Sequence, residues 1–263
     1  MYTRLGQLVA EQEEMTIRID ANVDETSWPE GKSKAWLWVA VTNLLTVFLI
    51  RPNRNRAAFD DLVGPDPGVL TTDRFPVYTH LGRRRQVCWA HLRRDFQAMI
   101  DRSNAGSTIG EELLAHADIL FAHWKRVRDG TRSRRWFRRT HAGWLRRQVR
   151  LLLERGSGCG CAKTEGVCRQ LLAVEASLWT FARRDGIEPT NNAAERALRH
   201  AVLWRRSSLG TDSVVGGRFV SAILTVVSSC RQQGRHVLEY VTACCEAALA
   251  GARPPSLLPQ PVV

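Results

Sequence analysis

Lysine is scarce in this chain. It occurs at Lys32, Lys34, Lys125 and Lys163, within a total of 38 basic residues, so the rest are arginine. The planar guanidinium fork suits bidentate contact with phosphate, although a GC-rich genome produces the same bias. Long apolar runs are also lacking: none reaches the length of about 18 residues that reads as a membrane span, so no membrane partner is expected. The opening Met1-Tyr2-Thr3-Arg4-Leu5-Gly6-Gln7 has no apolar signal core. The seven cysteines form no even disulfide framework, and without a secretory leader they read as reduced thiols in a cytoplasm. Cys159-Gly160-Cys161 with Cys168 has neither C-x-x-C spacing nor a following His pair, which disfavours a zinc knuckle. No internal repeat is visible.

What is present is charge and a core. The 263 residues are 44% hydrophobic, enough for one large domain or a domain carrying an insertion. The 38 basic residues against 26 acidic give a net charge of +12. That surplus favours a polyanion bound through phosphate contacts and counterion release.

Along the chain, Thr16 to Asp24 alternates apolar and polar residues, a half-buried strand with Asp24 on its polar face. A turn follows at Pro29-Glu30-Gly31-Lys32. Two apolar runs, 35–41 and 44–50, break at Thr42-Asn43 as in a hairpin. A helix is expected over 56–63, a short strand over 68–72, another over 86–90 and a helix over 91–102. That order is α/β with a mixed sheet. Residues 103–185 carry helical periodicity in three stretches, 109–129, 131–155 and 165–184. The second is densely basic, with Arg135, Arg138, Arg139 and Arg146 among nine arginines, and Trp136 and Trp144 interleaved. Basic residues beside aromatics suit a nucleic-acid surface, and a solvated basic face with its tryptophans in the core is the plainer alternative. Further helices are expected over 186–206, 216–233 and 236–250. The division reads as a remnant over 1–15, a core over 16–102 and 186–235, a helical insertion over 103–185, and a C-terminal helix and tail over 236–263.

Three carboxylates stand out: Asp24, Asp73 and Glu195. The two aspartates close strand-like runs and the glutamate opens a helix. Carboxylate oxygens are the ligands that Mg²⁺ takes, and paired ions can clamp both oxygens of an in-line displacement. Each also has a plain explanation. Asp24 and Asp73 can open turns, and Asn192-x-x-Glu195 fits a capping box. Cys88 and His91, at i and i+3, could share a metal or be a buried thiol beside a helix start. From pattern alone the chain is a basic α/β protein suited to nucleic acid.

Several stretches are similar to the transposases of the insertion sequence 66 family. They are Asp24-Glu25-Thr26-x-Trp28, Asp73-Arg74-Phe75-x-x-Tyr78, Cys88-Trp89-Ala90-His91-Leu92-Arg93-Arg94-Asp95-Phe96 and Glu188-Pro189-Thr190-Asn191-Asn192-Ala193-Ala194-Glu195-Arg196-Ala197-Leu198-Arg199. Trp204-Arg205-Arg206-x-Ser208-x-Gly210-Thr211 and Cys230-Arg231-Gln232-Gln233-Gly234-Arg235 extend the likeness. It runs from about residue 20 to the end. The resemblance implies a ribonuclease-H-like mixed sheet interrupted by an all-helical insertion, with C-terminal helices. It implies a catalytic Asp24, Asp73 and Glu195 set binding two Mg²⁺ or Mn²⁺ ions. The implied activity is cleavage and strand transfer at transposon ends; the alternatives are a nuclease on the same fold and a non-catalytic DNA-binding remnant. The implied partners are double-stranded DNA at transposon ends and target, a second copy on DNA, and accessory proteins of the element, all at the nucleoid. Arg199, one turn beyond Glu195, would hold a phosphate or pair with Glu195. Relatives of this kind carry upstream DNA-binding modules, which this chain is expected to lack.

Overall fold

The computed structural model describes residues 19–258. The expected remnant over 1–15 and the start of the expected first strand, 16–18, lie outside the described residues. Among the described residues, five strands form a mixed sheet in the order β3-β2-β1-β4-β5. The chain divides into two compact units, residues 1–70 with 192–263, and residues 71–191. The first division falls inside β4, so the chain after Leu70 belongs with the helical stretch.

In the first unit, β1 (Ala21–Glu30) and β2 (Ser33–Val41) are antiparallel, in a register pairing Asp24 with Val39 and Glu30 with Ser33. Gly31, at φ 57°, makes the tight turn between them. The strand begins later than its alternation suggests and runs through Pro29, so Asp24 sits inside it. Proline lacks only a donor; the Pro29 carbonyl still accepts the Thr211 N–H at 3.1 Å. β3 (Thr46–Arg51) adds antiparallel to β2. Between them Thr42 Oγ1 accepts the N–H groups of Leu44 and Leu45 at 3.0 and 2.9 Å. Helix α1 (Arg56–Val63) follows, its first turn capped by the Asn55 side chain.

Two helices cover one face of this sheet. α9 (Asn192–Ser208) and α10 (Val214–Gln232) bring Ala194, Leu198, Val220 and Leu224 against Trp28, Leu37, Val39 and Phe48. α10 is long and apolar enough, by length and composition, to cross a membrane. Serines and threonines punctuate this stretch, and its Val220 and Leu224 are buried against the sheet. Those hydroxyls have a defined task here. Ser221, Thr225 and Ser229 recur every four residues and accept the N–H groups of Ile50, Phe48 and Thr46 at 3.0, 2.9 and 3.1 Å. They satisfy the outward donors of β3, which has no strand on that side among the described residues. α11 (Val237–Leu249) closes the unit and contributes no buried residue.

The second unit holds the end of β4 (Leu70–Thr72), a 3₁₀ stretch over Pro76–Arg84, β5 (Arg85–Val87) and α2 (Trp89–Ile100). α3 (Ser107–Arg128) follows. The expected basic helix is α4 (Arg134–Phe137), a π-helical turn over Arg138–Ala142, and α5 (Gly143–Gly156). The expected helix over 165–184 is three pieces: α6 (Ala162–Ala173), α7 (Glu175–Leu178) and α8 (Thr180–Arg183). An aromatic core binds them. Trp124 meets Phe137 and Phe181 edge-on at 5.3 and 4.8 Å, and Trp89 meets Trp179 at 5.1 Å.

Candidate active site

In the first unit, Asp24 lies on the sheet face that α9 covers. Its cross-strand partner Val39 points to that face, as do Thr26 opposite Leu37 and Trp28 opposite Ala35. Asp24 is half-buried, and its Oδ1 accepts the Glu25 N–H at 2.9 Å. Glu25 points the other way. It is buried and pairs with Arg54 Nε at 2.7 Å. Glu195 stands in the first turn of α9, half-buried, directly after the buried Ala194. α9 starts at Asn192 itself, so Asn191 precedes the helix, Ala194 is its third residue and Glu195 is not placed for the expected capping box.

The far end of α9 is fixed by its own motif. The Arg205 guanidinium donates to Thr26 Oγ1 at 3.1 Å and to the Ser27 carbonyl. Thr211 N–H and carbonyl bracket the β1–β2 turn through Pro29 O and Gly31 N, and its hydroxyl accepts the Trp28 indole N–H at 3.2 Å. Gly210, at φ 100°, lies where a Cβ would collide with the Pro29 carbonyl. The residues of these two motifs are thus clamp and hairpin. They set α9, and with it Glu195, on the face that carries Asp24.

In the second unit, Asp73 directly follows β4 and is half-buried. Its Oδ1 accepts the Phe75 N–H at 2.9 Å. Sequence reasoning missed its neighbour Arg85, which is buried at the start of β5. The Arg85 guanidinium donates to the Asp73 carbonyl at 2.6 Å and to Thr72 Oγ1 at 2.9 Å, and stands 5.7 Å from the Tyr78 ring centre. Burial pulls its pKa down to about 10, against the opposing charge of Asp73. No sequence signal marked it: the expected strand over 86–90 begins one residue later, whereas β5 starts at Arg85. Arg74 is held by Asp95 through two bonds, at 2.7 and 2.9 Å.

The segment entering α9 is pinned within this unit. Pro189 O accepts the Trp89 N–H at 2.9 Å, and Cys88 Sγ accepts the Asn191 N–H at 3.2 Å. Trp124 Nε1 donates to Glu188 at 2.9 Å. Arg134 donates to the carbonyls of Phe181, Arg184 and Ile187 and stacks over Trp124 at 4.9 Å. Ligand atoms of Cys88 and His91 lie within 4.8 Å of one another. The remaining thiols of this unit differ in setting. Cys159 is half-buried. Cys161 stands at the N-cap of α6, its pKa lowered by bonds from Thr164, whereas Cys168 is buried against Gly156 and pushed up to about 11.

The basic stretch is largely a surface. Arg135, Arg138, Arg139 and Arg147 lie exposed on α4, the π-turn and α5. Arg146 is different: its guanidinium is committed to Glu175 through two 2.7 Å bonds. Trp136 is flanked by Arg126 and Arg132 at 5.5 Å each. His123 and His141 stack at 3.6 Å beside it. Arg199 is exposed on α9.

A mixed α/β sheet packed by the helix that carries Glu195, on the face that carries Asp24, is the setting of these motifs. The sequence model of the transposase IS66 family matches residues 4–219. The chain belongs to the transposase IS66 family. It is 27% identical over 252 residues to the uncharacterised protein y4qI of Sinorhizobium fredii (strain NBRC 101917 / NGR234), covering 83% of this chain and 46% of that protein. The chain therefore spans about half the length of the curated relative it matches. No solved structure matches.

Proposed function

We propose that this chain is the catalytic part of a DNA transposase that cuts and joins DNA by phosphoryl transfer. Asp24, Asp73 and Glu195 would act together as a carboxylate set for two Mg²⁺ or Mn²⁺ ions. Hard oxygen donors from carboxylates fit these ions better than zinc or copper. When bound, such ions supply Lewis-acid stabilisation of the charge that develops at the scissile phosphate. The observation that carries the reading is the family membership together with the bracing of Asp24 and Glu195 on one face. The strand order, with β1 to β3 antiparallel, supports a ribonuclease-H-like sheet.

In the proposed reaction a water oxygen attacks phosphorus, a P–O bond forms, and the bond to the departing 3′-oxygen breaks. In joining, that freed 3′-hydroxyl would attack a target phosphorus, the bond from that phosphorus to the target's own 3′-oxygen would break, and that oxygen would leave as a hydroxyl with the proton the nucleophile gives up. No covalent enzyme intermediate is needed, so no serine or tyrosine is assigned. Arg85 is a positioning residue: it fixes the backbone at Asp73 without reaching substrate. Arg135, Arg138 and Arg139, with Arg199, would contact DNA phosphates on transposon ends and target; Arg146 would do so only if Glu175 released it. The chain would work at the nucleoid, with other components of its element as partners.

The test is strand transfer with pre-cut element ends in Mg²⁺. Joined product that disappears in Asp24→Ala, Asp73→Ala and Glu195→Ala, with folding intact, is the expected result. Cleavage without joining would make the chain a nuclease. DNA binding with no cleavage in either metal would make it a non-catalytic DNA-binding protein.

A further inference from the structure

Two features of the first unit fit one another. The first is a groove of about 690 Å³ between β3 and the N-terminal half of α10, lined by Leu49, Ile50, Val215, Phe219 and Ala222. Its apolar walls are open, with Val215 74% and Phe219 64% exposed. Arg51 and Arg218 complete the lining; Arg51 is bonded to Asp61 at 2.8 Å, so Arg218 carries the positive charge of the rim. The second is α11. Tyr240, Val241, Cys244 and Ala247 are half-buried along one side of it. On the other side, Leu238, Thr242, Cys245 and Leu249 recur at i, i+4, i+7 and i+11 and form an exposed stripe. Leu238 is 68% and Leu249 91% exposed. Glu239 and Glu246, one heptad apart, border that stripe. Residues 237–252 carry these two acidic groups and no basic one, within a chain of net charge +12.

We propose that the groove is the seat of α11 from a second copy of this chain. An apolar stripe edged by carboxylates meets an apolar groove with the Arg218 guanidinium on its rim. The match is of shape class and of charge sign, and the basic surplus elsewhere on the chain would oppose self-association by any other face. A 13-residue helix is only about 20 Å long. One such contact falls short of the about 800 Å² per partner that a stable interface buries. The exchange is therefore reciprocal, each copy inserting its α11 into the other's groove about a two-fold axis, which closes the assembly at a dimer. Phe219 and Leu249 are its apolar anchors, and Arg218 with Glu246 its charge pair. This proposal does not rest on the phosphoryl-transfer reading, since it concerns the resting protein without DNA.

Sedimentation velocity of the full chain over a concentration series is the experiment. The expected result is a monomer–dimer equilibrium that Phe219→Ser and Leu249→Ser each weaken at least tenfold, with unchanged circular dichroism. Both residues are exposed, so folding should survive. Arg218→Glu and Glu246→Arg should each weaken the dimer, and the double variant should recover it. As a second readout, Val215→Cys should form an intermolecular disulfide with Cys245 under mild oxidation, abolished by Leu249→Ser. A monomer at every concentration would overturn the proposal and leave the groove to another occupant. So would a dimer indifferent to Phe219→Ser, or a charge-swapped pair that does not recover.

Discussion

At the scale of single residues, burial decides which charges are structural. Arg85 is 2% exposed and supports two oxygen acceptors beside Asp73. Arg85→Ala should cost about 3 kcal/mol in chemical denaturation, because it strands buried acceptors and leaves a cavity. Arg85→Lys should recover only part, since an ammonium cannot reproduce the planar fork. His141 gives a pH-dependent counterpart. Burial, and after it the charges of His123 stacked against it and of Arg126, holds its pKa below the ordinary histidine value. The folded state then binds fewer protons than the unfolded chain once pH falls below about 6.5, and stability is lost across that window. His141→Gln should reduce the fall in denaturation midpoint between pH 7.5 and 5.5. An undiminished fall would show that other groups cause it. Asp73 and Glu195 stand out in the sequence because of the motifs around them. Arg85 does not, since one arginine among many carries no mark until burial singles it out.

At the scale of elements, periodicity placed most helices and strands within a few residues. The misses share a cause: contacts that pattern does not contain. β1 extends through Pro29 because β2 and Thr211 complete its hydrogen bonding. The stretch over 165–184 breaks at Val174 and Trp179, whose ψ values of 19° and 13° leave the helix. α10 is the instructive case. Its apolar face was visible, but the stripe of Ser221, Thr225 and Ser229 reads as imperfection until β3 is seen to need acceptors. Thr225→Val keeps the shape and removes the acceptor for the Phe48 N–H. It should cost about 1–3 kcal/mol, the penalty for an unpaired buried donor. Thr225→Ser should cost less than Thr225→Val in the same urea titration, because the hydroxyl is retained. The reverse order would mean that methyl packing, rather than the hydrogen bond, holds helix to edge.

For the whole molecule, charge is the property that sequence states most plainly and structure divides most usefully. The +12 surplus predicts binding to duplex DNA. It does not say which arginines are available to a phosphate. Arg138 and Arg139 face solvent beside Arg135, while Arg146 is neutralised by Glu175. The two sets therefore separate electrostatics from packing within one helical stretch. The triple change of Arg135, Arg138 and Arg139 to Ala should weaken binding to any duplex alike. It should also flatten the plot of log affinity against log salt by about 0.9 for each phosphate no longer neutralised. Arg146→Ala should leave that slope nearly unchanged and instead lower stability, since Glu175 is left without its partner. Charge alone cannot distinguish sequences, because base edges are read by elements placed in a groove. Binding by these residues should accordingly show less than about a hundredfold preference for an element end over scrambled DNA at physiological salt. A larger preference that vanishes with the triple change would make the basic helices a reader of sequence rather than a phosphate track.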